Sequence, residues 1–376
     1  MYSDKTLCSA LEVDPLLDLP ARLVDIDRFQ TRFHEKARRS TREDLVVVIT
    51  KNNLTKLRHT IVQYENSSHR VVLIDDSTTD STRKFVSSRL LGNVIYHGAK
   101  DQTKILKNLE TVDTSKFVFP LGIHGKTLGF CRNYAVLLAA LLDRKYLLMI
   151  DDDIVIEDKH LVDRSFELLR RYDIVGAHTS GMPDDSIVGH LARAKGITQY
   201  DYITGQYCGV KIPAIRYPFP NVYNEDLILY ALQGPGKSFA RCGQVKHLDS
   251  DKFRNLGSRL RFQEQGELLL RGFAEAAPPE RQRHLLTVSF WTRIMRERIV
   301  ELKELSELIG DENSLLFHRV FRILRNYHHS LAAKALASFS RQYLSRVQAW
   351  GELSAIARKK SVTNEISSEL QRVNAR

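Results

Sequence analysis

The sequence predicts an α/β protein with a mostly parallel central sheet flanked by helices, followed by an all-helical C-terminal extension. Three short apolar segments, residues 45–49, 71–74 and 146–150, each end in polar or acidic residues, which is typical of buried strands that run into a turn. Helical patterns alternate with apolar segments up to about residue 255, as a parallel sheet requires. Beyond that the pattern predicts helices alone, over residues 285–308, 315–327 and 331–350.

Chain length and composition predict more than one structural unit. The 376 residues are enough for a large domain and an accessory one, and 43% of them are apolar. We expect an N-terminal lead-in over residues 1–44, the α/β domain over 45–275 and a basic helical extension over 280–376. The Ala-Ala-Pro-Pro sequence at residues 276–279 predicts a hinge between the last two.

Composition and cysteine use predict a cytoplasmic protein. The N-terminus has no basic segment followed by an apolar one, and the longest strongly apolar helical run, residues 135–142, is far too short to cross a membrane. The four cysteines are scattered without the spacing of metal ligands, so reduced thiols are the simplest account.

The acidic triplet Asp151, Asp152 and Asp153 directly follows the third apolar segment. Ligands of open α/β sheets collect at the carboxyl ends of strands. Three adjacent carboxylates repel one another unless a cation offsets their charge. Strand alternation places Asp151 and Asp153 on one side and Asp152 on the other. Oxygen ligands in this number suit Mg²⁺ or Mn²⁺, whereas the alternative for an isolated triplet is a solvated acidic turn.

The other two apolar segments end in candidate nucleotide-binding residues. The first runs into Thr50 and Asn52, and the second runs into Asp75 and Asp76. Both have the strand-then-turn form of a βα unit, in which a carboxylate can accept from a base or ribose and free backbone amides can contact phosphate. Asp80, further along, is most simply a helix cap.

Five segments resemble, in order, the motifs of GT-A fold glycosyltransferases, especially those of family 2. Residues 75–82 resemble the DDGSTDGT signature, which in that family follows the second strand and contributes to nucleotide binding. Residues 129–135 resemble the G-x-x-RN-x-A/G segment, and the acidic triplet then falls where the DxD motif belongs. Residues 204–209 resemble the small-residue segment on the acceptor side, and residues 224–226 resemble the late ED motif. The resemblance covers roughly residues 45–253.

The sequence departs from the family pattern in three places. Ser77 stands where the signature has Gly, and Asn52-Asn53 replaces the more usual Asn-Glu after the first strand. No Gln-x-x-Arg-Trp motif follows Asp226, which argues against a processive polysaccharide synthase.

The resemblance implies a nucleotide-diphosphate sugar donor, most simply UDP- or GDP-linked, and a bound Mn²⁺ or Mg²⁺. Asp153 would hold the metal, with Asp151 acting directly or through water, and Asp151 and Asp152 would also belong to the nucleotide contacts. Arg132 would clamp phosphate or carboxylate, and a salt bridge to the acidic cluster is its equal alternative.

The resemblance also implies that acids late in the domain carry the transfer. An inverting transfer needs a general base beside the acceptor hydroxyl, and we choose Asp226, with Glu225 supporting it or binding the acceptor. The alternative is a helix N-terminus made favourable by acids near its positive dipole end. His247 is a candidate metal ligand, as in some retaining GT-A enzymes. In that version Asp226 binds the acceptor, and the choice between inversion and retention stays open.

Two other functions remain as alternatives. A sugar-nucleotide nucleotidyltransferase shares the sheet and the acidic metal site, but that class usually has a Gly-rich loop with a basic residue after the first strand. Residues 50–53 form no such loop. A non-catalytic nucleotide-sugar-binding module would not need Asp151, Asp153 and Asp226 together.

Positive charge is concentrated in residues 313–360, which carry nine Lys and Arg and a single acid, whereas the whole chain has a net charge of +11. Apolar residues recur there at helical spacing, with Arg319, Arg322 and Arg325 interleaved. We expect a helical subdomain that packs on the α/β domain with a solvated basic face. The alternative is peripheral contact with an anionic membrane at its inner surface. No nucleic-acid motif accompanies the charge, so we expect no nucleic-acid partner, and the acceptor is not specified.

Overall fold

The computed structural model of the chain describes residues 23–25, 42–64, 68–88, 93–108, 128–180, 186–189, 203–233, 237–248, 256–309, 314–330 and 333–360. Most of the predicted lead-in lies outside these ranges, as do residues 361–376 of the predicted extension.

The described strands belong to one sheet. They are β1 (Leu23–Asp25), β2 (Asp44–Thr50), β3 (Val71–Asp75), β4 (Val94–His97), β5 (Tyr146–Asp151), β6 (Ile154–Val155), β7 (Ile174–Ser180), β8 (Tyr207–Lys211) and β9 (Phe239–His247). The three strands predicted from apolar segments are confirmed as β2, β3 and β5, each one or two residues longer than predicted.

The sheet is mostly parallel, as the sequence predicts. Its strand order is β1-β9-β7-β8-β5-β2-β3-β4, and the short β6 pairs with β9 away from this path. Along the path only β8 is antiparallel to its neighbours, β5 and β7. The carboxyl ends of β2, β3 and β5 therefore meet at one edge, in the GT-A-like α/β arrangement that the motif resemblance implies.

The helices flank the sheet and fill the C-terminal region. They are α1 (Leu54–Thr60), α2 (Ser81–Ser88), α3 (Ala99–Asn108), α4 (Leu128–Leu141), α5 (Leu161–Leu169), α6 (Glu225–Leu232), α7 (Leu256–Glu275), α8 (Val288–Ile309), α9 (Ser314–Ser330) and α10 (Ala333–Lys360). Short 3₁₀ helices span Ile61–Tyr64, Ile212–Ala214 and Pro279–Leu286.

Apolar side chains cover both faces of the sheet, which is why its inner strands are continuous apolar runs. Alternate residues of β2 enter different cores. Val47 belongs to the core that also holds residues of α4, α6, α7 and α10, whereas Val46 belongs to the core that holds residues of α1, α2 and α5. All seven residues of β2 are buried, as expected for a strand covered on both sides.

The C-terminal helices share the core of the α/β domain. Helix α10 packs against α4, and α7 packs against α6. Trp291 and Trp350 are fully buried in this core, and so is Ala276 at the predicted hinge. Within the described residues, no helix has the length and apolar character that a membrane span needs.

Helix α9 packs its apolar side against α7 and α8 and has its charged side outward. Val320 and Leu324 are buried in a small cluster with residues of α7 and α8. Arg319, Arg322 and Arg325 lie on the exposed side of the same helix.

Candidate functional site

The candidate site lies at the edge of the sheet where three parallel strands end. Thr50 is paired in register with Asp75 on β3, and the preceding residue, Ile49, is paired with Asp151 on β5. The predicted site residues of all three strands therefore lie side by side. This follows from parallel pairing, because the carboxyl ends of parallel strands share one edge.

Asp152 and Thr50 are joined by a hydrogen bond between their side chains. The Thr50 hydroxyl donates to Asp152 Oδ2 over 2.5 Å, and the Asn53 side chain donates to Oδ1 over 2.8 Å. The Thr60 hydroxyl donates to the Asp152 carbonyl over 2.7 Å. Burial raises the pKa of Asp152 to about 6, although the bonds from Thr50 and Asn53 oppose that rise. These contacts fix the end of β5 against α1.

The loops after β2 and β3 are joined by their own side chains. Asn52, at φ 52°, accepts from the Thr78 amide over 2.9 Å and donates its backbone amide to Ser77 Oγ over 2.8 Å. Ser77, where the family signature has Gly, thus supplies a hydroxyl that a glycine lacks. Asp75 accepts from the Ser77 amide over 2.9 Å and from the Tyr96 hydroxyl over 2.8 Å.

Asp76 lies beside Asp75 and faces a different partner. Its carboxylate is 3.0 Å from Lys51 Nζ, and its backbone amide donates to the Thr50 carbonyl over 3.0 Å. The Asp76 side chain is buried and Lys51 is half exposed, so the pair lies at the rim of the two joined loops.

Arg132, on α4, is the centre of a buried charged cluster. Its Nη2 lies 3.4 Å from Asp151 Oδ1 and its Nε lies 3.4 Å from Glu225 Oε1. Burial opposes the charge of Arg132, but Glu225, Asp151 and Asp226 outweigh burial and raise its pKa above the ordinary value. The guanidinium also lies 5.9 Å from the centre of the Phe219 ring. The salt-bridge alternative for Arg132 is therefore present in the structure.

The site cluster, defined as Arg132, Asp151, Glu225 and Asp226, holds three acids for one arginine. Burial raises the pKa of Asp151 well above its usual range, and the opposing effect of Arg132 is smaller. The negative charge of Asp153, Asp152 and Glu225 adds to that rise. The cluster is thus short of positive charge.

Glu225 and Asp226 form the first turn of α6 and are both buried. Asp226 Oδ2 accepts a hydrogen bond from the Gly205 amide. A Cβ at Gly205 would lie 1.7 Å from Arg132 Nη1, so a side chain there would displace the guanidinium. The small-residue segment around Gly205 is thus explained by contact with both Arg132 and Asp226.

The segment around Arg132 holds the loop that leads into α6. The Asn133 side chain donates to the Phe219 carbonyl over 2.8 Å and accepts from the Phe219 amide over 2.7 Å. A Cβ at Gly129 would lie 2.4 Å from the Pro220 carbonyl oxygen, so only glycine allows this approach of helix and loop.

The C-terminal helices hold the same loop from the other side. The Tyr343 hydroxyl of α10 donates to the Pro218 carbonyl over 2.7 Å, and the Gln282 side chain donates to the Tyr217 hydroxyl over 3.3 Å. Sequence reasoning missed this link, because a tyrosine on an apolar helix face has no local signal for a partner 125 residues away.

Asp153 has partners separate from those of Asp151. Its Oδ2 lies 3.2 Å from His247 Nε2 and 3.0 Å from Lys56 Nζ. The pairing of β6 with β9 brings His247 there, since Ile154 is opposite His247. Burial alone would raise the pKa of Asp153, but His247 and Lys56 lower it below its usual range. Sequence reasoning missed Lys56, which lies inside the first helix after β2.

The predicted alternation within the triplet is wrong. Strand β5 ends at Asp151, and Asp152 and Asp153 form a turn before β6. Alternation applies only within a strand, so the three carboxylates meet three different sets of partners.

The structure brings together part of the predicted metal site. Among the described residues, no three His, Cys, Asp or Glu side chains converge on one point that could hold a metal. Asp153 and His247 do converge, whereas Asp151 faces Arg132. A carboxylate oxygen suits Mn²⁺ or Mg²⁺ when phosphate oxygens and water complete the shell, whereas an imidazole nitrogen suits a transition metal, so the pair favours Mn²⁺ over Mg²⁺.

Comparison with known proteins gives matches to solved structures only. No protein-family model and no curated protein matches this chain. The chain is similar to a mannosyltransferase from Pyrobaculum calidifontis in complex with GDP-Man and Mn²⁺, at 13% identity, with 92% of this chain and 97% of that chain covered and a TM-score of 0.42. It is similar to mannosyl-3-phosphoglycerate synthase from Rubrobacter xylanophilus, at 15% identity, with 70% of this chain and 82% of that chain covered and a TM-score of 0.41. A 4-diphosphocytidyl-2C-methyl-D-erythritol synthase from Anaerococcus prevotii matches at 9% identity, with 60% and 96% covered and a TM-score of 0.31.

Proposed function

We propose that this protein is a non-processive, metal-dependent glycosyltransferase that moves a sugar from a nucleotide-diphosphate sugar to an acceptor hydroxyl. The proposal rests on one observation: motif segments far apart in sequence meet around Arg132, which joins Asp151 to Glu225. Three acids around one buried arginine, two of them buried and Asp151 18% exposed, are costly for a fold, and such clusters are typical of functional sites.

We place the nucleotide at the ends of β2 and β3. Asn52, Asp75 and Asp76 line the two joined loops there, and their hydrogen bonds set the shape of those loops before any ligand arrives. Thr50 and Asp152 contribute by fixing the start of α1 against β5. The sequence pattern does not separate a UDP- from a GDP-linked donor.

We assign Asp153 and His247 as the residues that hold a divalent ion, Mn²⁺ or Mg²⁺, with Asp151 acting directly or through water. When bound, such an ion supplies Lewis-acid neutralisation of the charge that develops on a departing diphosphate. Arg132 pairs with Asp151 beside this position and limits repulsion among the acids.

Asp226 is the general base of the proposed inverting reaction. The Gly205 amide holds Oδ2, which leaves Oδ1 to take the proton of the acceptor hydroxyl. As the acceptor oxygen forms its bond to the anomeric carbon, the bond from that carbon to the diphosphate oxygen breaks. Glu225, held by Arg132, supports Asp226 or binds the acceptor.

A retaining reaction is the second candidate, because the resemblance links a histidine metal ligand to some retaining enzymes and His247 lies beside Asp153. In that version Asp226 binds the acceptor and does not act as base. The anomeric configuration of the product, determined by NMR, separates the two reactions. Retention of the anomeric configuration would show that Asp226 is not the general base of an inverting reaction.

A thermal-shift panel tests the proposal directly. UDP-, GDP-, ADP- and dTDP-sugars are each added with and without Mn²⁺, and selective binding raises the Tm by mass action. We expect one donor class to raise the Tm in a Mn²⁺-dependent manner, and Asp153→Asn to abolish that dependence and turnover together. Unaltered turnover of Asp153→Asn at saturating donor would refute the metal site.

The same donors distinguish the rival functions. A nucleotidyltransferase would form the sugar nucleotide from a nucleoside triphosphate and a sugar phosphate, and would not transfer the sugar to an acceptor. A binding module would show the shift in Tm but neither transfer nor hydrolysis of the donor in the presence of Mn²⁺.

A further inference from the structure

Lys56 is a cation within the chain that contacts the proposed metal pair. Its Nζ lies 3.0 Å from Asp153 Oδ2 and 3.2 Å from the Leu248 carbonyl oxygen. His247 Nε2 approaches the same Asp153 oxygen at 3.2 Å. The Lys56 side chain is 20% exposed, so water screens this contact only in part.

One carboxylate oxygen thus has two neighbours of different kinds, an ammonium and an imidazole. A divalent ion bound to Asp153 and His247 would lie beside the Lys56 ammonium, and like charges repel strongly where solvent is partly excluded. The four-methylene stem of lysine allows its head group to move without a change in the backbone.

We infer that Lys56 competes with the divalent ion for Asp153 and leaves this carboxylate when the metal binds. The inference rests on the metal site assigned above. It predicts that the protein alone binds the metal weakly, because the metal must displace a charge-assisted hydrogen bond. A donor diphosphate adds negative charge at the same place, which favours the metal and gives the displaced ammonium a new partner. Metal and donor then bind cooperatively.

Mn²⁺ binding tests this inference without any reaction. The electron paramagnetic resonance signal of free Mn²⁺ is titrated with protein in the absence of donor. We expect Lys56→Met to bind Mn²⁺ at least about tenfold more tightly than the wild type, since removal of a nearby cation favours a second one. Lys56→Arg, which keeps the charge, should bind as weakly as the wild type.

Lys246→Met is the matched control. Lys246 is the neighbour of His247, and its exposed side chain lies on the opposite side of β9 from the buried His247. Its loss changes the net charge of the protein equally but should leave Mn²⁺ affinity close to that of the wild type. A Tm measured for each variant shows that all of them are folded.

Three results have different meanings. If Lys56→Met binds Mn²⁺ no more tightly than Lys246→Met while Asp153→Asn loses binding, the competition is refuted and the metal site stands. If no variant binds Mn²⁺, the metal assignment fails and the competition fails with it. Tighter binding by Lys56→Met that is lost when Asp153→Asn is added supports both.

Discussion

Two clusters of buried charged side chains differ in how their charges are matched. The site cluster has three acids for one arginine, and the contacts of Arg132 with Asp151 and Glu225 are both 3.4 Å long. The helical cluster joins α7, α8 and α9 and consists of Glu264, Arg298 and His328. In it two basic groups surround one acid at distances of 2.9 to 3.0 Å.

The two clusters also differ in their hydrogen bonds. Arg298 donates to both oxygens of Glu264, a two-pronged geometry that gives strong charge-assisted bonds. In contrast, Nε and Nη1 of Arg132 are buried and have no hydrogen-bond partner among the described residues. The helical cluster leaves one such nitrogen, His328 Nδ1, whereas the arginine of the site cluster leaves two, and each unsatisfied buried donor costs stability.

The pKa values of the acids in the two clusters shift in opposite directions, although burial alone raises both. Burial alone would raise the pKa of Glu264, but Arg298 and His328 outweigh it and lower the pKa to about 2. Burial raises the pKa of Asp151 well above its usual range, and the opposing effect of Arg132 is smaller. A cluster whose acidic and basic charges balance therefore stabilises the fold, whereas a cluster with excess acids favours binding of a positively charged ligand.

Asp226→Asn should have the largest effect, and only on activity. Loss of a general base lowers kcat by about 10²–10⁴-fold, while donor affinity and fold are retained. The Tm should stay the same or rise, because one of three crowded acids becomes neutral. Steady-state kinetics and a melting curve check both parts. A variant that loses donor affinity but keeps kcat would show that the role of Asp226 is wrongly assigned.

Glu264→Gln should lower the stability of the fold and leave activity unchanged. It removes the two-pronged partner of the buried Arg298 and leaves the longer 3.6 Å contact with Glu301, which costs up to about 3–5 kcal/mol of unfolding free energy. Urea denaturation measures this loss, and kcat of the folded protein should be unchanged.

Glu307→Gln is the matched control on α8. Glu307 pairs with Lys303 at 3.8 Å, and both side chains are mostly exposed. An exposed pair of this kind contributes about 0.5 kcal/mol or less. A similar loss from Glu264→Gln and Glu307→Gln would refute the assignment of the helical cluster as a stabilising one.

Lowering the pH should remove the stability that Glu264 contributes to the helical cluster. The pKa of Glu264 is about 2 in the folded protein, against an ordinary value of 4.5, so the folded state binds fewer protons. The contribution of Glu264 is therefore complete above pH 4.5 and is lost as the pH falls towards 2. For this fully buried group it amounts to about 3 kcal/mol. The difference in unfolding free energy between wild type and Glu264→Gln should shrink over that range, and a constant difference would contradict the pKa assignment.

Tyr343→Phe tests the link between the C-terminal helices and the site. It keeps the ring but removes the hydroxyl that donates to the Pro218 carbonyl, which should cost about 1 kcal/mol of stability. Ser345→Ala, which loses only a bond within α10, is the control and should cost less. Equal effects would show that the link to the loop contributes nothing.

Replacement of the arginines on the basic face of α9 should have the smallest effect. Val320 and Leu324 are buried against protein, so they are not free to enter a membrane. We expect the wild type not to sediment with anionic vesicles, and replacement of Arg319, Arg322 and Arg325 by Gln to change nothing. Salt-sensitive sedimentation of the wild type would establish the membrane alternative. Each arginine would then contribute about 1 kcal/mol, and the triple variant would bind roughly a hundredfold more weakly.

The sequence alone determined the elements and the edge of the sheet where the site lies. Strands β2, β3 and β5 are short apolar runs ended by polar residues, and both features are local, so the pattern predicts them within two residues. Parallel pairing then places Thr50, Asp75 and Asp151 at one edge without further information.

Only the tertiary structure decided which side chains meet within the site. The contacts of Asp152 with Thr50 and of Asp153 with Lys56 join residues 102 and 97 positions apart, and no local pattern encodes them. Because β5 ends at Asp151, the side chains of the triplet do not alternate between two faces of a strand as the sequence predicts. The helical cluster depends on the packing of α7, α8 and α9, which brings Glu264 to Arg298 and His328. Local chemistry sets the strands and their ends, whereas charge matching is a property of side chains that only packing brings together.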